Sequence, residues 1–507
     1  MAGIYGAALH GGRARLVRVE ALLGRGLSRI VLVGMPDAVA REARERLPAA
    51  LRRHGFGFPK GKVLLNLVPA QIPKGGLPLD LAMAVSVLVR QGSLQSPVRP
   101  WLFLAELDLE GRLHPPARGT LLAALAAGSS KLAFAGVITA PEVASEAALA
   151  PGVPAYAAAD LGEVAALLEA PGNGEPAAPL DPGGEAGTSL RLEDVRGQQQ
   201  ARWAAIIAAT GGHPVLFQGP PGTGKSMVAR RLAELLPALD PATALELAKV
   251  EAALGRVRAM PRRAPLRAPH NTISAQALLG GGQPLRPGEL SRAHGGVLFL
   301  DELPEFARPA LEGLRQPLED GEVRLQRVRE WATFPADALL VASCNPCPCG
   351  FLTHRRIPCR CTPARLAQYR LRVSGPLLDR FDLFVEMGPV AAEALDGPPG
   401  PPTSAMASER MARARARQEE RCARGQVGRA GRATLEQLLA TGVAASARVL
   451  LRQAADQLQL SGRGHLRCLR VARSIADLDG SAILEREHLQ RALLYRRVTT
   501  EEGASTG

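Results

Sequence analysis

One run of eight residues limits what this chain can fold into more than any other feature. Gly219, Pro220, Pro221, Gly222, Thr223, Gly224, Lys225 and Ser226 fit the pattern GxxxxGK[ST] in full. Glycines at these positions let backbone N–H groups wrap an anion without Cβ clashes. Pro214–Gln218 before the run suits a buried strand, and Met227–Leu236 after it suits an amphipathic helix. A strand, this loop and a helix together form a phosphate cradle, with the helix N-terminus adding positive dipole character. Lys225 is expected to reach the β- and γ-phosphates of a nucleoside triphosphate, and Ser226 to hold Mg²⁺.

A second motif lies about seventy-five residues on. Val297-Leu-Phe-Leu-Asp301-Glu302 is an apolar strand that ends in two acids. Asp301 suits a Mg²⁺ contact made through water, and Glu302 suits the base that polarises an attacking water. Ala338–Ser343 is another buried-strand candidate, and it leads to Asn345. Asn345 before Pro346 can orient a water or simply form a turn. Arg380 in Ser374-Gly-Pro-Leu-Leu-Asp-Arg380-Phe-Asp382 can reach a phosphoryl group on a neighbouring subunit, or pair internally with Asp379 or Asp382.

At 507 residues the chain exceeds one hydrophobic core and suggests about three domains. Residues 169–188 and 389–404 are rich in Pro, Gly and Ala and read as linkers. They divide the chain into blocks 1–168, 189–388 and 405–507. In the first block, Ile30–Val33, Val63–Val68 and Trp101–Leu107 read as strands and Ala38–Arg53 as a helix. No apolar run reaches the ~20 residues that cross a bilayer, and the N-terminus has no secretory pattern. A cytoplasmic location without membrane partners is therefore expected.

The net charge of +14 favours polyanions such as nucleic acid, or an evenly solvated arginine surface. Two groups of arginines are candidate phosphate contacts. The first is Arg324, Arg327 and Arg329. The second is Arg410, Arg413 and Arg417, continued by Arg421 and Arg424 at three- and four-residue steps along one expected helix face. A solvated face is the alternative for this stripe. Five of seven cysteines crowd into residues 344–361. Cys347, Cys349, Cys359 and Cys361 form two CxC pairs that could hold a tetrahedral Zn²⁺; redox-active thiols and buried free cysteines are the alternatives.

Several longer stretches carry a family likeness. RLEDVRGQQQARWAAIIAATGGHPVLFQGPPGTGKSMVARRL, RAPHNTISAQALLGGG, RPGELSRAHGGVLFLDELPEF, ASCNPCPCG, SGPLLDRFDL and SGRGHLRCLRVARSIADLDG resemble the YifB/ComM family of magnesium-chelatase-like AAA+ ATPases. The resemblance covers essentially the whole chain. It implies an α/β fold class with three parts: an N-terminal S5-like (Lon-protease-like) α+β domain, a central AAA+ P-loop domain and a C-terminal helical lid. It also implies a homo-hexamer that uses ATP, with Asn345 as sensor 1, Arg380 as a finger offered to the neighbour, and Arg470 as sensor 2 with Arg463 as runner-up. Residues 267–284 would be a helix-2 insert, and 321–335 a hairpin pointing into a ring pore. Ile72-Pro-Lys-Gly-Gly-Leu-Pro78-Leu-Asp80 resembles the serine-nucleophile segment of Lon, but Pro78 stands at the serine position. Lys74 then has no serine partner, and peptidase activity is not expected. The function implied is a DNA motor that migrates branched structures, acting in recombination or natural transformation. The alternative is an ATPase that remodels a protein partner.

Overall fold

The computed structural model describes residues 3–496 apart from 11, 35–36, 72–76, 171–173, 180–189, 258, 328–329 and 355–356. Arg329, Lys74 and much of the 169–188 stretch therefore lie outside the described residues.

The chain is α/β in its first two parts and helical in its third. The N-terminal sheet has seven strands in the order Arg29–Val33, Lys62–Val68, Arg13–Gly24, Ile4–His10, Trp101–Leu104, Gly136–Thr139 and Ala155–Ala157. Arg13–Gly24 pairs antiparallel with both of its neighbours, and the other pairings are parallel. The alternating burial of Val63, Leu65 and Leu67 follows the two-residue period of a strand with one face on the core. The single strand expected over Trp101–Leu107 is split. Trp101–Leu104 joins the main sheet, while Glu106–Leu107 pairs with Leu113–His114. Ala105 separates the two pieces, and its carbonyl accepts the Leu81 N–H. Helix Asp80–Gln91 packs beneath; Ser86 on it is buried and donates to the Val19 carbonyl at 3.3 Å.

The central sheet is parallel, in the order Leu266–Arg267, Val297–Leu300, Leu339–Cys344, Val215–Gln218 and Leu383–Glu386. All five strands therefore direct their C-terminal ends to one edge. Ligand sites in open parallel sheets lie at that edge.

The N-terminal sheet is seated on this domain through an apolar seam. Leu121, Ala124 and Phe134 share a cluster with Ala248, Ala252 and Phe334. The Gly119 N–H also reaches the Ala252 carbonyl at 3.0 Å.

The C-terminal helices Ser404–Ala423, Ala445–Gln457, Gly462–Asp479 and Arg486–Leu493 share one core with the central sheet and its helix Gln199–Gly211. The stretch 389–404 is fastened to that core. Arg202 donates to the carbonyls of Gly400 at 2.7 Å and Pro402 at 3.1 Å, Arg196 to Gly397 at 2.9 Å, and Ser404 Oγ to Glu193 at 2.7 Å. Proline-rich backbone has few N–H donors but all of its carbonyls, so arginine side chains are suitable partners for it.

Candidate nucleotide site

Gly219–Ser226 leaves the strand Val215–Gln218 and enters helix Lys225–Leu235. Gly219 is required by close approach: a Cβ there would stand 2.2 Å from the Met387 carbonyl oxygen. Gln198 braces the loop from behind, donating to the carbonyls of Thr223 at 3.2 Å and Gly388 at 2.7 Å.

Lys225 is buried at the head of its helix. Its Nζ donates to the carbonyls of Gly219 at 2.7 Å and Pro220 at 2.9 Å, and to Asn345 Oδ1 at 3.1 Å. Burial lowers its pKa, and the negative charge of Asp301 and Glu302 acts in the opposite direction. Ser226 Oγ donates to Asp301 Oδ2 at 2.8 Å. The two oxygens expected at Mg²⁺ are thus adjacent, as a shared hard cation requires.

The strand order brings these groups together. Leu339–Cys344 lies between the P-loop strand and the strand ending at Asp301, so Asn345 emerges between Lys225 and the acid pair. Glu302 adopts φ 57° and ψ 52°. This left-handed conformation is uncommon for a non-glycine residue and belongs to positions the surroundings over-determine. Its backbone N–H is held by Ser343 Oγ at 3.1 Å, and Asn271 Nδ2 lies 3.5 Å from its carboxylate. Ser343 also donates to Asp301 Oδ1. Ser343 and Asn271 were not anticipated. Strand alternation places Ser343 on the same side as Asn345, which was the available sequence signal.

The four cysteines of the CxC pairs meet. Cys347, Cys349, Cys359 and Cys361 have sulfurs all within 4.8 Å of one another. The Cys347–Cys349, Cys347–Cys359 and Cys349–Cys359 separations are 3.3, 3.7 and 3.6 Å. Thiolates around a tetrahedral ion at Zn–S 2.3 Å sit about 3.8 Å apart, whereas disulfide sulfurs sit at about 2.05 Å. Backbone N–H groups of Phe351 and Arg360 draw the Cys349 thiol down to about 6. The cluster adjoins the phosphate loop: a Cβ on Gly350 would come within 2.7 Å of Pro221 Cδ.

The remaining predicted residues lie elsewhere. Arg380 pairs with Glu319 at 2.6 Å rather than with Asp379 or Asp382. Arg470 is half-buried and its Nε is held by the Ala433 carbonyl at 2.8 Å; burial lowers its pKa. Arg463, in the first turn of the same helix, is exposed.

Arg324 and Arg327 are exposed on the hairpin Glu322–Arg327/Glu330–Pro335, with Arg324 paired to Glu322 at 2.6 Å. The expected arginine stripe on helix Ser404–Ala423 is not one uniform outer face. Arg410 pairs with Asp479 at 3.1 Å and stacks on Trp203, with 5.2 Å to the ring centroid. Arg421 turns inward and grips Asp477 with two bonds of 2.6 Å. Arg413 is exposed beside Glu409 at 3.4 Å, and Arg417 is half-buried. A helix that buries Ala407, Met411, Ala414 and Gln418 sweeps neighbours three and four residues apart across the edge of its buried face.

Comparison with known proteins accounts for this arrangement. Family models described as magnesium chelatase subunit ChlI match residues 191–395, subunit ChlI of Mg-chelatase residues 19–142, and the ChlI C-terminal region residues 401–496. The competence protein ComM of Haemophilus influenzae is 38% identical over 511 residues, covering 98% of this chain and 97% of that protein. YifB of Escherichia coli is 37% identical over 489 residues, covering 95% and 94%. The chain belongs to the YifB/ComM family of magnesium-chelatase-like AAA+ ATPases.

The magnesium-chelatase 67 kDa subunit of Chlorobaculum tepidum matches more narrowly, at 29% over 162 residues. This YifB/ComM ATPase combines an N-terminal domain, an AAA+ core and C-terminal helices. Among its described residues, no helix is long and apolar enough to cross a membrane.

Proposed function

We propose that this YifB/ComM ATPase is an ATP-driven DNA motor that works as a hexameric ring and migrates branched DNA. The observation carrying the reading is the convergence of Lys225, Ser226, Asp301, Glu302 and Asn345 at one sheet edge.

In this reading the backbone of 219–224 wraps the phosphates and Lys225 releases its loop carbonyls to neutralise them. Ser226 and Asp301 hold Mg²⁺, which when bound offsets charge on the phosphate oxygens. Glu302 accepts the proton of the attacking water, and Asn345 orients that water. Arg380 of a neighbouring subunit steadies charge on the transferred phosphoryl group. Arg463 is exposed, whereas Arg470 is held by the Ala433 carbonyl within the helical unit, which favours Arg463 over Arg470 as sensor 2.

DNA is the partner that the surplus positive charge favours, with Arg324, Arg327 and Arg413 as the exposed candidates. The likeness over full length to a protein named for competence adds support. The four thiols suit Zn²⁺, which would staple the loop beside Pro221; zinc is supported by the sulfur spacing and by the soft, all-thiolate ligand set.

The test is ATP turnover with forked, Holliday-junction and single-stranded DNA at low salt, with Lys225→Ala and Glu302→Gln as controls. Stimulation that fades as salt rises is expected. Stimulation by no DNA, but by a protein fraction, would favour a remodelling ATPase.

A further inference from the structure

The Asp379–Asp382 segment is gripped by the C-terminal helical unit of its own chain. Arg467, buried on helix Gly462–Asp479, donates through Nη1 to the Phe381 carbonyl at 3.0 Å and through Nη2 to Asp379 Oδ1 at 3.1 Å. Two turns on, buried Ser474 meets His213 Nε2 at 2.8 Å, and His213 Nδ1 meets Asp382 Oδ2 at 2.8 Å. Ser474, His213 and Asp382 form a chain that resembles a hydrolytic triad. All three are buried, however, and a nucleophile without access to substrate cannot act as one. The chain is therefore a tie between elements.

Arg380 stands between the two tied acids. Its Nη2 rests on Glu319, itself half-exposed, and its Nε is buried with no hydrogen-bond partner. The guanidinium is thus largely buried, and its ion-pair partner among the described residues is an exposed acid on another helix. The other end of the connection reaches the phosphate loop. His213 follows helix Gln199–Gly211, and Gln198 at the start of that helix holds the Thr223 carbonyl at 3.2 Å.

We propose that Arg467 and His213 are positioning residues that set where Arg380 stands, so that a shift of the C-terminal helices in one subunit moves the arginine it offers to the next. This rests on the finger role proposed above for Arg380. It gives the ring a physical link between the nucleotide state of one site and hydrolysis at the adjacent one.

The test is a double-mutant cycle on the full-length protein. Arg467→Met keeps the aliphatic stem and removes the grip. It is expected to lower kcat between about tenfold and a hundredfold, the scale of a small misplacement of a catalytic group. KM for ATP and binding of a fluorescent ATP analogue should stay within about threefold. Arg380→Ala is expected to lose at least as much, and Arg467→Met on that background should add no further loss.

Asp379→Asn removes the same ion pair from its exposed side, and serves if Arg467→Met lowers the melting temperature enough to obscure the rates. Wild-type kcat in both Arg467→Met and Asp379→Asn, or losses that multiply on the Arg380→Ala background, would overturn the coupling. Undiminished kcat in Arg380→Ala would instead show that the finger reading itself fails, and the coupling with it.

Discussion

Ser343 Oγ accepts the backbone N–H of Glu302 at 3.1 Å while donating its own proton to Asp301. One hydroxyl, fully buried on the central strand, therefore fixes both acids at the end of the neighbouring strand. It orients the Asp301 carboxylate so that the opposite oxygen faces Ser226, and it holds Glu302 in its left-handed conformation.

Ser343→Ala should accordingly slow ATP turnover about tenfold, the weight of one hydrogen bond to a charged group. The apparent Mg²⁺ requirement should rise at the same time, because Asp301 loses its orientation. A Mg²⁺ titration of ATPase rate checks this; a Mg²⁺ curve superimposable on wild type would remove the role.

The cysteine cluster should contribute to both stability and nucleotide affinity. One zinc per chain is expected by elemental analysis. Stripping it, or making Cys349→Ser, should lower the melting temperature and weaken ATP binding, because Gly350 packs on Pro221 of the phosphate loop. Calorimetric ATP binding before and after chelation measures the second effect. Protein purified without metal, with unaltered melting after chelation, would contradict it.

A different kind of dependence is expected at Asp477. It is fully buried and accepts from Arg421, Arg473 and Gln418. Asp477→Ala leaves two guanidinium groups buried beside no anion, and breaking such a network typically costs about 3–5 kcal/mol. Urea unfolding of Asp477→Ala against wild type reads it. Arg413→Ala, on the exposed face, should leave unfolding unchanged within about 0.5 kcal/mol.

These residues also show what the sequence made legible. The motif at 219–226 and the acids at 301–302 were readable because each is a short local pattern tied to one strand end. Asn345 is open on spacing alone between orienting a water and forming a turn, and its contact with Lys225 at 3.1 Å joins the two motifs. The CxC pairs announced a cluster because four like residues in a short span have little room to avoid one another. The arginine stripe was harder. Helical spacing places Arg410 and Arg421 on one face three turns apart, but their partners, Asp479 and Asp477, lie on a different helix far along the chain. Nothing local marks such a pairing. Arg467 and His213 are unmarked for the same reason: each acts across a packing interface that only the fold creates, whereas strand alternation offers a signal for Ser343.

Nucleotide binding and turnover, measured side by side for wild type, Lys225→Ala and Glu302→Gln, test the nucleotide site most directly. Wild type should bind and hydrolyse ATP. Lys225→Ala should lose tight binding, and Glu302→Gln should bind normally while turning over about a hundredfold or more slowly, as expected for loss of a general base. Hydrolysis by Lys225→Ala and Glu302→Gln at the wild-type rate would contradict that assignment.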